Sequence, residues 1–175
     1  VIDANGVITW TPSEEQGPGV YTLTTVVTDS GFPPLSATNS FNVTVNETNT
    51  APFWPTNVAS QTNYTVNALN LFIVTNTAMD VDLPTNRLHY SLFGPAGAMI
   101  DTNNGVITWI PTLAQAPGVY IFTNVVTDTN QYALADKSLS ATNYFTVTVP
   151  ALIAPFAFTQ PAQLVTGISA KLNGM

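Results

Sequence analysis

Two stretches of alternating apolar and polar residues, each followed by an Ala-Pro-Phe triplet, constrain the fold of this chain more than any other feature. The first stretch is Phe41 to Val45, and its triplet begins at Ala51; the second is Phe145 to Val149, and its triplet begins at Ala154. Alternation with period two is typical of a strand with one buried face. Proline cannot donate to a central ladder, so each triplet indicates a break after a strand. The recurrence predicts a tandem array of β modules of about 100 residues each.

Further matches align the chain with itself. Gly6 to Trp10 returns as Gly105 to Trp109, and Val20 to Asp29 returns as Val119 to Asp128. We therefore predict three units: the C-terminal half of a first module at residues 1–50, a complete module at 51–150 and the start of a third module at 151–175. Because Val1 falls midway through a repeat, we expect a fragment, a processed form or part of a longer chain.

The complete module is predicted to contain seven short strands and no helix of any length. Asn104-Gly105 suits a type I′ turn, which needs positive φ angles, and it predicts a hairpin over 99–109. The other predicted strands are Phe53 to Val58, Tyr64 to Val74, Leu88 to Phe93, Val119 to Asp128 and Ser140 to Val149. Seven strands at this spacing predict an antiparallel β-sandwich with Greek-key connections, so the fold class is all-β.

The composition restricts the class of partner. Hydrophobic residues make up 45% of the chain, enough for real cores, whereas charged residues make up only 7%. Ten acidic side chains against three basic ones give a net charge of −7, so nucleic acid and anionic membranes are poor partners and a cation is a better one. With no cysteine, neither a disulfide nor a thiolate metal site can form. No apolar stretch reaches the ~20 residues of a membrane span.

The segment from Gly6 to Tyr21, together with Val27 to Ser36, resembles the dystroglycan-type cadherin-like repeats of bacterial surface proteins, which are also described as Ig-like domains. The resemblance covers essentially the whole chain. It implies tandem cadherin-like, Ig-like sandwiches in an extracellular location, either secreted or at the cell surface. It does not imply an enzyme.

The same resemblance implies a calcium site at the first linker, Asn46 to Pro52. Cadherin repeats bind calcium with acids from one module, the linker and the next module. Carried over by position, the ligands are Glu14 or Glu15, Asn49 in the linker, the pair Asp80 and Asp82, and Asp128. Asn46 and Asn49 stand where that linker pattern has acids, so we expect fewer ions and weaker binding. Pro150 to Ile153 has no carboxylate, so the second linker is expected to be free of metal.

Simpler interpretations stay open for several residues. Asp80 and Asp82 could cap turns through their own backbone, and Asp128 could simply end a strand. The only histidine, His89, lies in an alternating stretch and is expected to face solvent. Trp10 and Trp109 could stack on sugars, but their recurrence favours packing. Three glycosylation sequons carry little weight in a chain this rich in Asn and Thr.

The sequence therefore predicts a structural or adhesive repeat array, in a cell-surface protein or a fibre shaft, with a calcium-stiffened first linker. Two alternatives remain: a self-assembling filament subunit completed by strand pairing between chains, and a carbohydrate-binding or spacer module of a secreted protein. The expected partners are neighbouring modules of the same or another chain, a surface protein or a glycan. No nucleophile–base pair or cofactor motif is visible, so no enzyme is expected.

Overall fold

The computed structural model describes residues 1–59 and 61–153 of the chain. The predicted third module begins in this range, but its matched residues lie outside the described ones. The strands are β1 (Gly19–Thr28), β2 (Ser36–Val45), β3 (Asn63–Thr65), β4 (Phe72–Thr75), β5 (His89–Phe93), β6 (Met99–Ile100), β7 (Val106–Trp109), β8 (Gly118–Thr127) and β9 (Ser140–Val149). One short helix, α1 (Thr56–Ala59), and two 3-10 turns, Glu14–Gln16 and Leu113–Gln115, complete the described elements.

Residues 51–150 form a two-sheet sandwich. One sheet has the order β3-β9-β8-β5 and the other has the order β4-β7-β6. All pairs are antiparallel except β3 with β9, which run parallel. The predicted all-β, cadherin-like sandwich is confirmed.

The core of the sandwich comes from the inward-facing positions of β7, β8 and β9. Phe122 stacks on Phe145 with ring centroids 5.0 Å apart, and Trp109 meets Phe122 edge-on at 5.4 Å. Every second side chain of β9 from Asn143 to Val149 is buried, as the period-two alternation predicts. Burying one such aromatic side chain contributes on the order of 1.5–3 kcal/mol, so the inner faces of these long strands carry much of the stability.

Strands β1 and β2 pair with each other as a separate two-stranded ribbon, which we call the N-terminal ribbon. Its antiparallel register repeats that of β8 with β9. In the described residues no second sheet covers its inner face. Phe41 is therefore 41% exposed, whereas Phe145, at the matching position of β9, is 2% exposed.

Two sequence-based strand predictions are wrong in detail. Phe53 to Val58 is not a strand: Phe53 makes a single bridge to Met79, and helix α1 begins directly after Pro55, whose carbonyl accepts from the Val58 and Ala59 amides. The fixed φ angle of proline favours a helix start at this point.

Tyr64 to Val74 is not one strand but two, β3 and β4, which belong to different sheets. Between them Leu69 has a φ of +68° and the Asn70 amide donates to the Asn67 carbonyl, so the chain turns and crosses from one sheet to the other. Periodicity alone cannot reveal this crossing, because both halves keep the composition of a strand.

The hairpin between β6 and β7 is confirmed, but its turn is not type I′. Only Gly105 has a positive φ angle there, whereas a type I′ turn needs two such residues. The Asp101 carboxylate accepts from the Asn103 amide, and the Gly105 amide donates to the Asp101 carbonyl, so the loop is wider than a two-residue turn. At Gly105 a Cβ atom would clash with the Asn76 carbonyl oxygen, which explains why glycine occupies the position.

Candidate metal centre

Four chain segments bring their acidic side chains together where the N-terminal ribbon meets the sandwich. We call this region the junction. Its segments are the 3-10 turn that contains Glu14, the linker with Glu47 and Asn49, the loop of Asp80 to Asn86, and the loop that begins with Asp128 directly after β8. Because strand ends fix these loops, residues far apart in sequence become neighbours.

The junction contains two groups of three carboxylates, and Asp82 belongs to both. The first group is Glu14, Glu47 and Asp82; the second is Asp80, Asp82 and Asp128. Within each group, one carboxylate oxygen per residue lies within 4.8 Å of the others. Asp82 is 2% exposed and Asp128 is fully buried, so water screens their mutual repulsion poorly.

Three asparagine amides offset part of this repulsion. Asn49 Nδ2 donates to both carboxylate oxygens of Asp128, at 3.0 and 3.1 Å. Asn86 Nδ2 donates to Asp82 Oδ2 at 2.7 Å and to Asn49 Oδ1 at 3.2 Å. Asn130 Nδ2 donates to Glu47 Oε1 at 3.1 Å and to Asp82 Oδ2 at 3.3 Å. Each amide N–H stabilises a carboxylate by a charge–dipole interaction, which is weaker than the attraction of a full positive charge.

Backbone amides also hold the carboxylates in place. The Thr50 amide donates to both oxygens of Asp82, and the Leu83 amide donates to Glu14 Oε1 at 3.2 Å. The second bond joins the 3-10 turn before β1 to a loop of the sandwich, so Glu14 spans the junction. The Asp82 amide donates to Asp80 Oδ1 at 3.0 Å, which is the local Asx turn that the sequence left open as an alternative.

One oxygen of Asp80 stands out. Asp80 Oδ2 is buried, and within residues 1–59 and 61–153 it has no hydrogen-bond partner. Burial, followed by the nearby charges of Asp82 and Asp128, raises the pKa of Asp80 above its ordinary value. A buried anionic oxygen without a partner is costly unless a proton or a cation binds it.

Glu47 is the acidic residue of the junction that sequence reasoning missed as a ligand. Its side chain is buried, and desolvation raises the pKa of Glu47, with smaller contributions from Glu14 and Asp82. Its backbone also bridges Ala133 in parallel fashion. Glu47 is the only carboxylate in the linker, and that alone could have identified it.

The predicted ligands divide into two sets. The junction brings together Glu14, Asn49, Asp80, Asp82 and Asp128, whereas Glu15 is exposed and belongs to neither carboxylate group. Asn86 and Asn130 were not predicted; their nearness to Asp82 and Asp128 in the sequence was the available signal.

The other sequence candidates take structural positions. His89 is exposed on β5, as expected. Trp109 is 1% exposed, with its indole N–H donated to the Ala96 carbonyl, and Trp10 packs edge-on against Tyr21. A buried indole cannot stack on a sugar, so packing is the role of Trp109. Across the described ranges, the structure has no helix long and apolar enough to cross a membrane.

A family model described as "Putative Ig domain" matches residues 51–150, which is more than half of the chain. The chain belongs to the Putative Ig domain family. No curated protein matches the sequence.

Solved cadherin structures share the fold of this Putative Ig domain chain. The protocadherin GammaB4 extracellular domain matches with a TM-score of 0.56 and 23% identity, over 78% of this chain and 23% of that one. EC21-23 of human CDH23 matches with a TM-score of 0.52 and 22% identity, over 79% of this chain and 41% of that one. The chain thus spans less than half the length of either structure, and at such identities the likeness establishes the fold alone.

The junction of this Putative Ig domain chain has the donor chemistry of a hard cation. Its side chains offer carboxylate and amide oxygens only, and calcium takes six to eight oxygen ligands at about 2.3–2.6 Å. The unpartnered Asp80 Oδ2 lies in the group with Asp82 and Asp128, so that group is the better fit of the two.

Proposed function

We propose that this chain is an extracellular structural or adhesive module, not an enzyme, whose junction is stiffened by one calcium ion held by Asp80, Asp82 and Asp128. The observation that carries the proposal is the buried Asp80 Oδ2, which has no hydrogen-bond partner in the described part of the chain although it belongs to a group of three carboxylates. A cation would supply the missing partner. Asn49 and Asn86 would add amide oxygens, and backbone carbonyls or water would complete the shell.

Calcium would stiffen the junction through contacts that already cross it. Asp82 accepts from the Thr50 amide of the linker, so this bond joins the linker to a loop of the sandwich. While an ion neutralises the carboxylates, Asp82 can remain ionised and keep this bond, and Asn49 of the linker would bind the ion through Oδ1 in place of donating to Asp128. Without the ion, repulsion favours protonation or local opening of the loops. The linker would therefore be ordered with calcium and looser without it, which suits a module that transmits force or fixes the spacing of neighbours.

The test is thermal unfolding of the 175-residue chain in calcium and in chelator. Ion binding to the folded state stabilises it by RT ln(1 + [Ca²⁺]/Kd), which is about 2.7 kcal/mol at a hundredfold excess over Kd. We expect a rise in the unfolding midpoint with calcium that Asp80→Asn abolishes. Glu15→Gln is the matched control, because Glu15 is an exposed carboxylate outside both groups, and it should keep the full rise. Equal midpoints of the wild-type chain in both buffers would refute the proposal.

A second candidate function is self-association through the N-terminal ribbon. No described residue range places a second sheet on the inner face of β1 and β2, and Phe41 is far more exposed than its buried counterpart Phe145. A strand layer from a second copy would cover this face as β4, β7 and β6 cover the face of β8 and β9. Sedimentation velocity over a range of concentrations would test this idea. We expect association that Phe41→Asp weakens and that Val20→Asp, on the outer face, leaves unchanged; a monomer at every concentration would refute it.

A further inference from the structure

Asn130 holds a fixed orientation in the junction. Its side chain is fully buried, and its Oδ1 accepts from the backbone amides of Tyr132 and Ala133, both at 3.1 Å. Rotating the amide by half a turn would put its NH₂ group against these two N–H donors, so the amide cannot flip without losing both bonds and gaining two repulsive contacts. The Nδ2 side therefore always faces the carboxylates.

That Nδ2 atom occupies the space between two carboxylates of the first group. It lies 3.1 Å from Glu47 Oε1 and 3.3 Å from Asp82 Oδ2, within hydrogen-bond distance of both. A cation that bound the same two oxygens would lie next to the amide N–H groups, whose positive ends would repel it. The amide thus supplies to Glu47 and Asp82 the partial positive charge that an ion would otherwise supply.

The second group differs in this respect. Among the described residues, Asn49 Oδ1 accepts from the Asn86 side chain alone, and no backbone N–H is bonded to the Oδ1 of either residue. Both amides can therefore rotate and turn their oxygens toward an ion. The two groups share Asp82 but differ in whether their amides are fixed.

We propose that Asn130 sets the number of cations at the junction: its fixed N–H donors exclude an ion from the group of Glu14, Glu47 and Asp82, so that only the group of Asp80, Asp82 and Asp128 takes one. The choice of that second group rests on the function proposed above. Asn130 is a positioning residue in this scheme, because it acts on Glu47 and Asp82 and not on the ion itself.

The test is the number of calcium ions bound per chain, measured by isothermal titration calorimetry and by equilibrium dialysis. We expect one ion for the wild-type chain. Asn130→Asp keeps an oxygen for the Tyr132 and Ala133 amides but replaces the donors with a second oxygen, so we expect a second ion. Two ions in the wild-type chain, or a folded Asn130→Asp variant that binds no more ions than the wild-type chain, would overturn the proposal.

Two further variants keep the test decisive. Glu47→Gln should leave the wild-type ion in place, because Glu47 is not among its ligands; loss of an ion in this variant would contradict the proposal even if Asn130→Asp failed to fold. Asp80→Asn combined with Asn130→Asp should retain one ion. If the wild-type chain bound none and the Asn130→Asp variant bound one, the calcium function would fail while the role of Asn130 would stand.

Discussion

Asn49 and Asp128 are 79 positions apart, yet Asn49 Nδ2 lies 3.0 and 3.1 Å from the two carboxylate oxygens of Asp128. This contact joins the linker to the end of β8. It places an uncharged amide against a buried carboxylate, at a position where the cadherin-like pattern has an acid. Several predictions depend on this arrangement of amides and acids.

Asn49→Ala removes the two hydrogen bonds to Asp128 and the one from Asn86, and it leaves the buried Asp128 with the Leu139 amide as its remaining donor to the carboxylate. An unsatisfied buried group costs about 1–3 kcal/mol, so we expect that loss in the free energy of unfolding, measured by urea titration in chelator. Asn5→Ala, in an exposed turn, is the control and should change stability by less than about 0.5 kcal/mol. Equal effects of the two variants would show that the Asn49 contact carries no stability.

The stability of the ion-free chain should increase as the pH falls through the raised pKa values of Glu47 and Asp80 toward the ordinary values of these groups. Burial is the first cause that raises the pKa of Glu47 and of Asp80 above their ordinary values of 4.5 and 3.8. A group with a raised pKa in the folded state favours folding when protonated, so its contribution is present at low pH and is lost as the pH rises through the folded pKa. Unfolding midpoints measured in chelator at several pH values test this prediction, and the slope should be smaller in Asp80→Asn.

With calcium present the trend should weaken or reverse, because protons and the ion compete for the same oxygens. A midpoint in chelator that falls steadily from pH 7 to pH 5 would contradict the assignment of raised pKa values to these two groups.

Phe145→Ala should cost about 3–5 kcal/mol of unfolding free energy, because it opens a cavity beside Phe122 and Phe72 in the closed core. Phe41→Ala changes the same residue type at the matching position of the N-terminal ribbon, where the side chain is already 41% exposed. Phe41→Ala should therefore lower the free energy of unfolding much less than Phe145→Ala does. Chemical denaturation of both variants measures the difference, and similar costs would show that the inner face of the ribbon is covered in solution.

Gly105→Ala should destabilise the chain more than Gly6→Ala. Both glycines have positive φ angles, so both substitutions bear a backbone strain of about 1–2 kcal/mol. At Gly105 the new Cβ would also clash with the Asn76 carbonyl oxygen and lie 3.0 Å from the Tyr90 ring, whereas at Gly6 no described atom lies within 4 Å. Thermal unfolding midpoints compare the two variants, and equal shifts would mean that the loop near Asn76 moves to make room.

The parts of the fold that the sequence predicts well are those where one physical signal acts without competition. Both long strands of the sandwich and both strands of the ribbon follow from alternation and β-branched residues, and their matched registers follow from the repeat. The prediction failed at Phe53 to Val58, where Pro55 starts a helical turn, and at Leu69, where the chain changes sheet. Both features depend on which sheet the following segment joins, and the periodicity of a segment does not determine that.

The sequence by itself determined the all-β class, the repeat and most of the acids at the junction, because strand periodicity and the order of motifs are local properties of the chain. Only the tertiary structure decided which acids meet. Glu47 enters the site and Glu15 does not, and Asn86 and Asn130 become partners of Asp82 because loops from different strands converge on it. Burial, orphaned oxygens and amide orientation arise from that convergence, and they decide the chemistry of the junction.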